Sequence, residues 1–141
     1  MALALKQSRE TILVVEDTAL VLKTVRMILE NANFTVLAAS GANEAMELAR
    51  DAKTIDLLLS DVMMPNMSGP DLALKLKESR PDMRVMLMSG FPNGAMLVLN
   101  YGWHFIEKPF VSSQLVTKIN EILQDENRSQ GTDHFDTRQL V

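Results

Sequence analysis

Five polar side chains stand at the carboxyl ends of apolar segments, where each segment gives way to turn-forming residues. The set comprises Glu16, Asp17, Asp61, Ser89 and Lys108. Any one of them would be ordinary at the end of a strand, so the evidence lies in finding all five at such positions. Carboxylates that meet repel one another unless a cation lies among them, and their oxygens suit the hard ion Mg²⁺. A hydroxyl and an ammonium beside such an ion suit a phosphoryl group.

Apolar runs alternate with helical repeats along the chain and would position these side chains. The runs predict strands over 11–15, 34–39, 55–60, 84–89 and 103–106. Apolar residues at three- and four-residue spacing predict helices over 18–31, 42–49, 68–79 and 95–100, and from Ser112, the predicted cap, onward. This order predicts an α/β fold with a parallel sheet that is covered on both faces. Because parallel strands end at one edge, the five side chains should meet there.

Composition excludes several classes of protein. The chain has 141 residues, enough for one domain, and a net charge of −4 with no basic stripe argues against direct nucleic-acid binding. It has no Cys, and therefore no disulfide framework or thiolate metal site. Neither a signal peptide nor a run long enough for membrane insertion is evident, which predicts a cytoplasmic protein.

Four segments resemble the motifs of response-regulator receiver domains, the phosphoacceptor modules of two-component signalling systems. They are Val14-Val15-Glu16-Asp17, Ser60 to Pro65 with Gly69, Met88-Ser89-Gly90, and Phe105 to Phe110. Together they are highly specific, although each alone is not. The resemblance implies a flavodoxin-like (βα)5 fold with strand order 2-1-3-4-5. It divides the chain into an N-terminal extension at 1–10, a receiver domain at 11–124 and a polar C-terminal tail at 125–141.

The resemblance also implies a phosphorylation site that requires Mg²⁺. Asp61 would accept a phosphoryl group from the phosphohistidine of a histidine kinase or histidine phosphotransfer protein. Asp17 would be a direct Mg²⁺ ligand, and Glu16 would act through water. The backbone carbonyl of Met63 would complete the ligands from the protein.

A second group of residues would carry the response to phosphorylation, again by resemblance. Lys108 would pair with the phosphoryl oxygens, and its bond to Pro109 would be cis. Ser89 would move to the phosphoryl group, and Phe105 would turn inward as the aromatic switch. No enzymatic activity is expected beyond the domain's own phosphorylation and dephosphorylation.

The region from 95 to 105 departs from the family pattern. Its predicted helix is short for a receiver and carries four consecutive apolar residues, Met96 to Leu99. A helix turns about 100° per residue, so these side chains cannot all face the core. We expect this region to bind a partner or a second copy, as a possible homodimer, with an affinity that phosphorylation changes.

Other functions are weighed against this one. An aspartyl-phosphate phosphohydrolase would need a proton-transferring residue where Met63 stands. A flavin- or nucleotide-binding module would need a Gly-rich loop after Val15. A receiver-like interaction module that is never phosphorylated stays open. The choice between a stand-alone regulator and a domain of a larger protein, such as a hybrid sensor histidine kinase, also stays open. The motifs resemble those of receivers attached to hybrid kinases.

Overall fold

A computed structural model describes residues 9–90 and 101–125. Its strands are β1 Thr11–Val15, β2 Thr35–Ala39, β3 Leu57–Asp61, β4 Arg84–Ser89 and β5 His104–Glu107. Its helices are α1 Ala19–Asn31, α2 Ala42–Asp51, α3 Gly69–Ser79 and α4 Ser112–Gln124. The helix predicted at 95–100 lies outside the described residues, as do most of the predicted N-terminal extension and C-terminal tail. No helix in the described ranges is long and apolar enough to cross a membrane.

The five strands form one parallel sheet in the order β2-β1-β3-β4-β5, which confirms the predicted topology. Val15 at the end of β1 pairs with Ser60 on β3, and Asp61 pairs with Met88 on β4. Ser89 in turn pairs with Glu107 at the end of β5. This register brings the carboxyl ends of four strands to one edge of the sheet.

Both faces of the sheet are buried, which explains why the strands are continuous apolar runs. Alternate strand residues point to opposite faces. One face packs against α2 and α3 through the cluster that includes Leu13, Leu58, Leu87, Ala45 and Leu72. The other packs against α1 and α4 through the cluster that includes Ile12, Leu59, Met86, Leu29 and Ile119. The sheet is therefore packed between helices on both faces, and side chains at its edge are attached to a well-packed backbone.

Some strands and helices begin or end at other residues than predicted, because tertiary contacts determine those ends. β3 begins two residues later than predicted and includes Asp61, because Asp61 still pairs with β4. The predicted cap at Ser68 is confirmed, since its Oγ accepts the N–H of Asp71 at 3.1 Å. The predicted cap at Ser112 is wrong, because Val111 is the capping residue of α4. Its N–H donates to Oε1 of Gln114 at 2.9 Å, which fixes the start of the helix one residue earlier.

Gly69 allows α3 to begin directly against the end of β3. Its N–H donates to the carbonyl of Val62 at 2.8 Å. A Cβ at this position would overlap the carbonyl oxygen of Asp61 and would lie 3.2 Å from Oγ of Ser60. The absence of a side chain at Gly69 therefore sets the backbone position of Asp61.

Gly69→Ala should lower the free energy of unfolding by about 1–3 kcal/mol, because backbone atoms of β3 must move to admit the methyl group. Urea denaturation measures the change. Gly41→Ala is the matched control, since nothing lies within 4 Å of a Cβ at Gly41. Gly41 is the capping residue of α2, so this control should change stability by less than about 1 kcal/mol. Equal losses in the two variants would contradict the close approach at Gly69.

Candidate functional site

The ends of β1 and β3 bring three carboxylates together. Glu16, Asp17 and Asp61 each offer an oxygen atom, and these atoms lie within 4.8 Å of one another. Glu16 is fully buried and Asp61 is 6% exposed, whereas Asp17 faces solvent. The acidic cluster therefore extends from the interior of the domain to its surface.

Lys108, which follows β5, supplies a cation to this cluster. Its Nζ lies 2.7 Å from Oδ1 of Asp61 and 2.8 Å from Oε1 of Glu16. The backbone N–H of Lys108 donates to the carbonyl of Ser89 at 2.9 Å, which ties the residue to the end of β4. Its bond to Pro109 is cis, as predicted. One ammonium thus bridges the two buried carboxylates.

Glu16 is held in its ionised form. Burial acts to raise the pKa of Glu16, but hydrogen bonds from Lys108 and from the backbone N–H of Thr18 outweigh burial and lower it. The Thr18 bond is 3.0 Å long and uses the second carboxylate oxygen. Burial also acts to lower the pKa of Lys108, but its bonds to Asp61 and Glu16 raise the net value. Glu16 and Lys108 therefore form a fixed ion pair.

Asp61 behaves differently, although it contacts the same ammonium. Burial raises the pKa of Asp61 to about 7, and the adjacent Glu16 adds to the rise while Lys108 opposes it. A single ammonium cannot fully compensate two buried carboxylates. A further cation at the cluster would therefore stabilise the ionised form of Asp61 and lower its pKa.

Ser89 ends β4 at the same edge of the sheet, and Phe105 lies inside the neighbouring strand β5. Ser89 is 5% exposed and follows Met88, the residue that pairs with Asp61. Phe105 on β5 pairs with Leu87 and packs, partly buried, against the core cluster of α2 and α3. The fold therefore places the hydroxyl close to the acidic cluster and the aromatic ring one strand further along the sheet.

Two residues that support Asp61 are absent from the predicted set. The buried Oγ of Ser60 donates to the carbonyl of Asp61 at 2.9 Å and lies 3.9 Å from the sulfur of Met64. Gly69, which the sequence places in a receiver-like motif without a role at the site, lies against the same carbonyl. In the sequence, only the small side chain of Ser60 and the glycine at position 69 could have indicated this support.

The donor set fits a hard divalent cation. Three carboxylates face one ammonium among the described residues of the cluster, so negative charge is in excess. Oxygen ligands are those that Mg²⁺ prefers, and the exposed Asp17 gives a hydrated ion access.

A family model described as the response regulator receiver domain matches residues 12–120. The chain belongs to the response-regulator receiver family. Receiver domains are phosphoacceptor signalling domains of two-component systems and bind Mg²⁺ at an acidic pocket, and Glu16, Asp17 and Asp61 form an acidic cluster here.

Solved receiver structures match this receiver closely. A CheY-like receiver domain from Methanospirillum hungatei JF-1 has a TM-score of 0.78 and 29% identity, covering 86% of this chain and 99% of that one. The receiver domain of the hybrid histidine kinase CckA has a TM-score of 0.69 and 33% identity, covering 80% of this chain and 98% of that one.

Curated relatives are larger proteins. The sensor kinase CckA of Brucella abortus is 32% identical over 121 residues, which is 83% of this receiver but 13% of that protein. The transcriptional regulatory protein CpxR of Escherichia coli is 32% identical over 139 residues, which is 92% of this receiver and 59% of that protein. The receiver therefore spans less than two thirds of the length of either relative.

Proposed function

We propose that Asp61 of this receiver accepts a phosphoryl group from the phosphohistidine of a histidine kinase or histidine phosphotransfer protein. The observation that carries the proposal is the contact of Asp61, a nearly buried carboxylate, with Nζ of Lys108 at 2.7 Å inside an acidic cluster. The net charge of −4 argues against direct nucleic-acid binding. We expect the receiver to act in the cytoplasm.

Glu16, Asp17 and Asp61, with the backbone carbonyl of Met63, would hold Mg²⁺. When bound, this ion supplies positive charge that neutralises the carboxylates and the phosphoryl oxygens. Asp17 is the candidate for direct ligation because it is exposed. Glu16 is fully buried and already accepts bonds from Lys108 and Thr18, which favours an indirect role through water.

The chemical step uses Asp61 as the nucleophile. A carboxylate oxygen forms a bond to phosphorus as the bond from phosphorus to the donor histidine nitrogen breaks. Lys108 offers a fixed ammonium to the phosphoryl oxygens, which carry the charge of the transition state. Met63 occupies the position from which a phosphohydrolase would transfer a proton, and its thioether cannot do so. The receiver should therefore catalyse only its own phosphorylation and dephosphorylation.

Intact mass after incubation with acetyl phosphate and Mg²⁺ tests the proposal. One phosphoryl group should add to the protein, and the product should survive acid but not base, as an acyl phosphate does. No added mass, or an adduct that resists base, would overturn the proposal.

Mg²⁺ affinity should rise with pH through about 7, because a proton and the ion compete for Asp61, whose pKa is raised to about 7. Below this pH the carboxyl is increasingly protonated and loses its value as a ligand. Calorimetric titration on either side of neutrality measures the effect. Asp17→Asn should weaken binding at every pH, and equal Mg²⁺ affinity in this variant and wild type would contradict the assigned ligands.

Ser89→Ala should still accept a phosphoryl group but should not transmit the change to Phe105. Ser89 is the buried hydroxyl beside the acceptor, and Phe105 lies on the adjacent strand. The Phe105 ring should shift on phosphorylation in wild type only, because the moving hydroxyl is missing from the variant. Nuclear magnetic resonance of the Phe105 ring measures the shift. The same ring displacement in Ser89→Ala would refute the switch.

A further inference from the structure

Met63 carries the most exposed methionine side chain among the described residues. Its exposed fraction is 63%, and that of Met27 on α1 is 54%. The other methionines in the described ranges are partly or fully buried. A thioether that solvent reaches freely is open to oxidation by hydroperoxides.

Met63 also directly follows Val62, whose backbone is hydrogen-bonded to β4 and α3 beside the acidic cluster. It follows Asp61 by two residues in the short connection from β3 to α3. The N–H of Val62 donates to the carbonyl of Met88 at 2.9 Å, and that of Gly69 donates to the carbonyl of Val62 at 2.8 Å. A chemical change at Met63 therefore occurs two residues from Asp61 in the chain. Met27 lies in the middle of α1, away from the strand ends.

We propose that Met63 is an oxidation site whose sulfoxide alters phosphorylation at Asp61, an inference that rests on the proposed function. The sulfur gives two electrons to a hydroperoxide and receives one of its oxygen atoms, and the other oxygen leaves as water or an alcohol. Thiol-dependent reduction of the sulfoxide reverses the step. The modification thus has the chemistry of a reversible switch.

The sulfoxide would replace an apolar thioether, two residues from Asp61, with a polar group whose oxygen carries partial negative charge. Three carboxylates of the cluster already face one lysine. The partial negative charge on the sulfoxide oxygen should favour Mg²⁺ and disfavour an anionic phosphoryl donor, although the sulfoxide has no net charge. The two effects have opposite signs, whereas general damage to the protein would weaken binding and phosphorylation together.

The experiment uses Met27→Leu, which removes the other exposed thioether of residues 9–90 and 101–125, and the double variant Met27→Leu/Met63→Leu as the control. Each variant of the 141-residue chain is treated with hydrogen peroxide and compared with its own untreated form. Peptide mapping identifies the sulfoxide, calorimetry gives the Mg²⁺ affinity, and intact mass gives the rate of phosphorylation by acetyl phosphate at saturating Mg²⁺.

Treated Met27→Leu should carry the sulfoxide at residue 63 and bind Mg²⁺ about twofold more tightly. Its phosphorylation rate should fall about threefold, and the double variant should show neither change. The inference is overturned if both quantities fall, if neither changes, or if the changes persist in the double variant. If untreated Met27→Leu is not phosphorylated at all, the proposed function itself has failed.

Discussion

Asp61→Asn should abolish the mass gained on incubation with acetyl phosphate and Mg²⁺. The amide has nearly the shape of the carboxylate but is not a nucleophile toward phosphorus. Asp51→Asn, an exposed carboxylate at the end of α2, is the matched control and should be phosphorylated like wild type. A phosphorylated Asp61→Asn protein would place the acceptor elsewhere and overturn the proposed function.

The same variant should be more stable than wild type when Mg²⁺ is absent. Burial raises the pKa of Asp61 from 3.8 to about 7, so the folded state holds this proton more tightly than the unfolded state does. Stability from this group therefore falls as pH rises through that interval, and the cost is complete above it. Asn cannot ionise and avoids the cost.

The expected gain for Asp61→Asn is on the order of 2 kcal/mol at about pH 8, shrinking toward about pH 4. Urea denaturation at several pH values measures it. Added Mg²⁺ should stabilise wild type and leave the variant nearly unchanged, because the ion needs the carboxylate. A variant less stable than wild type at about pH 8 would mean that the contact with Lys108 outweighs the burial of charge.

Lys108→Met should give the largest loss of stability. It leaves the fully buried Glu16 and the nearly buried Asp61 without their shared cation. Removing one partner of a buried ion pair costs about 3–5 kcal/mol, and we expect the lower end because the Lys108 side chain is 26% exposed. The variant should also accept phosphoryl groups more slowly, since no fixed ammonium meets the phosphoryl oxygens.

Lys75→Met, at an exposed position on α3, is the control and should change stability by less than about 0.5 kcal/mol. Adding Asp61→Asn to Lys108→Met should recover part of the loss, because only one buried carboxylate then lacks a partner. Mg²⁺ should also restore part of it in the single variant. If Lys108→Met is as stable as wild type, the bridge between the two carboxylates contributes nothing to the free energy of unfolding.

The local pattern of the sequence was enough to predict a parallel five-stranded sheet and the edge at which Glu16, Asp17, Asp61, Ser89 and Lys108 gather, whereas the strand order was implied by the resemblance to receiver domains. Strands buried on both faces must be continuous apolar runs, and the helices between them must repeat at helical spacing. Both patterns are properties of neighbouring residues. The polar residue that ends each run is likewise visible in the sequence.

The interactions inside the site depend on the tertiary structure alone. Lys108 bridges Glu16 and Asp61 although 92 residues separate it from Glu16, and no local pattern reports which carboxylate a distant ammonium will contact. The opposite pKa shifts of Glu16 and Asp61 follow from their neighbours, because burial acts to raise both pKa values while Glu16 also accepts the N–H of Thr18 and the pKa of Asp61 is raised further by Glu16. The close approach of Gly69 to the backbone of Asp61 likewise arises when α3 packs against β3. Residue types therefore determined which groups reach the sheet edge, and strand register and helix packing determined the distances and charges that set their chemistry.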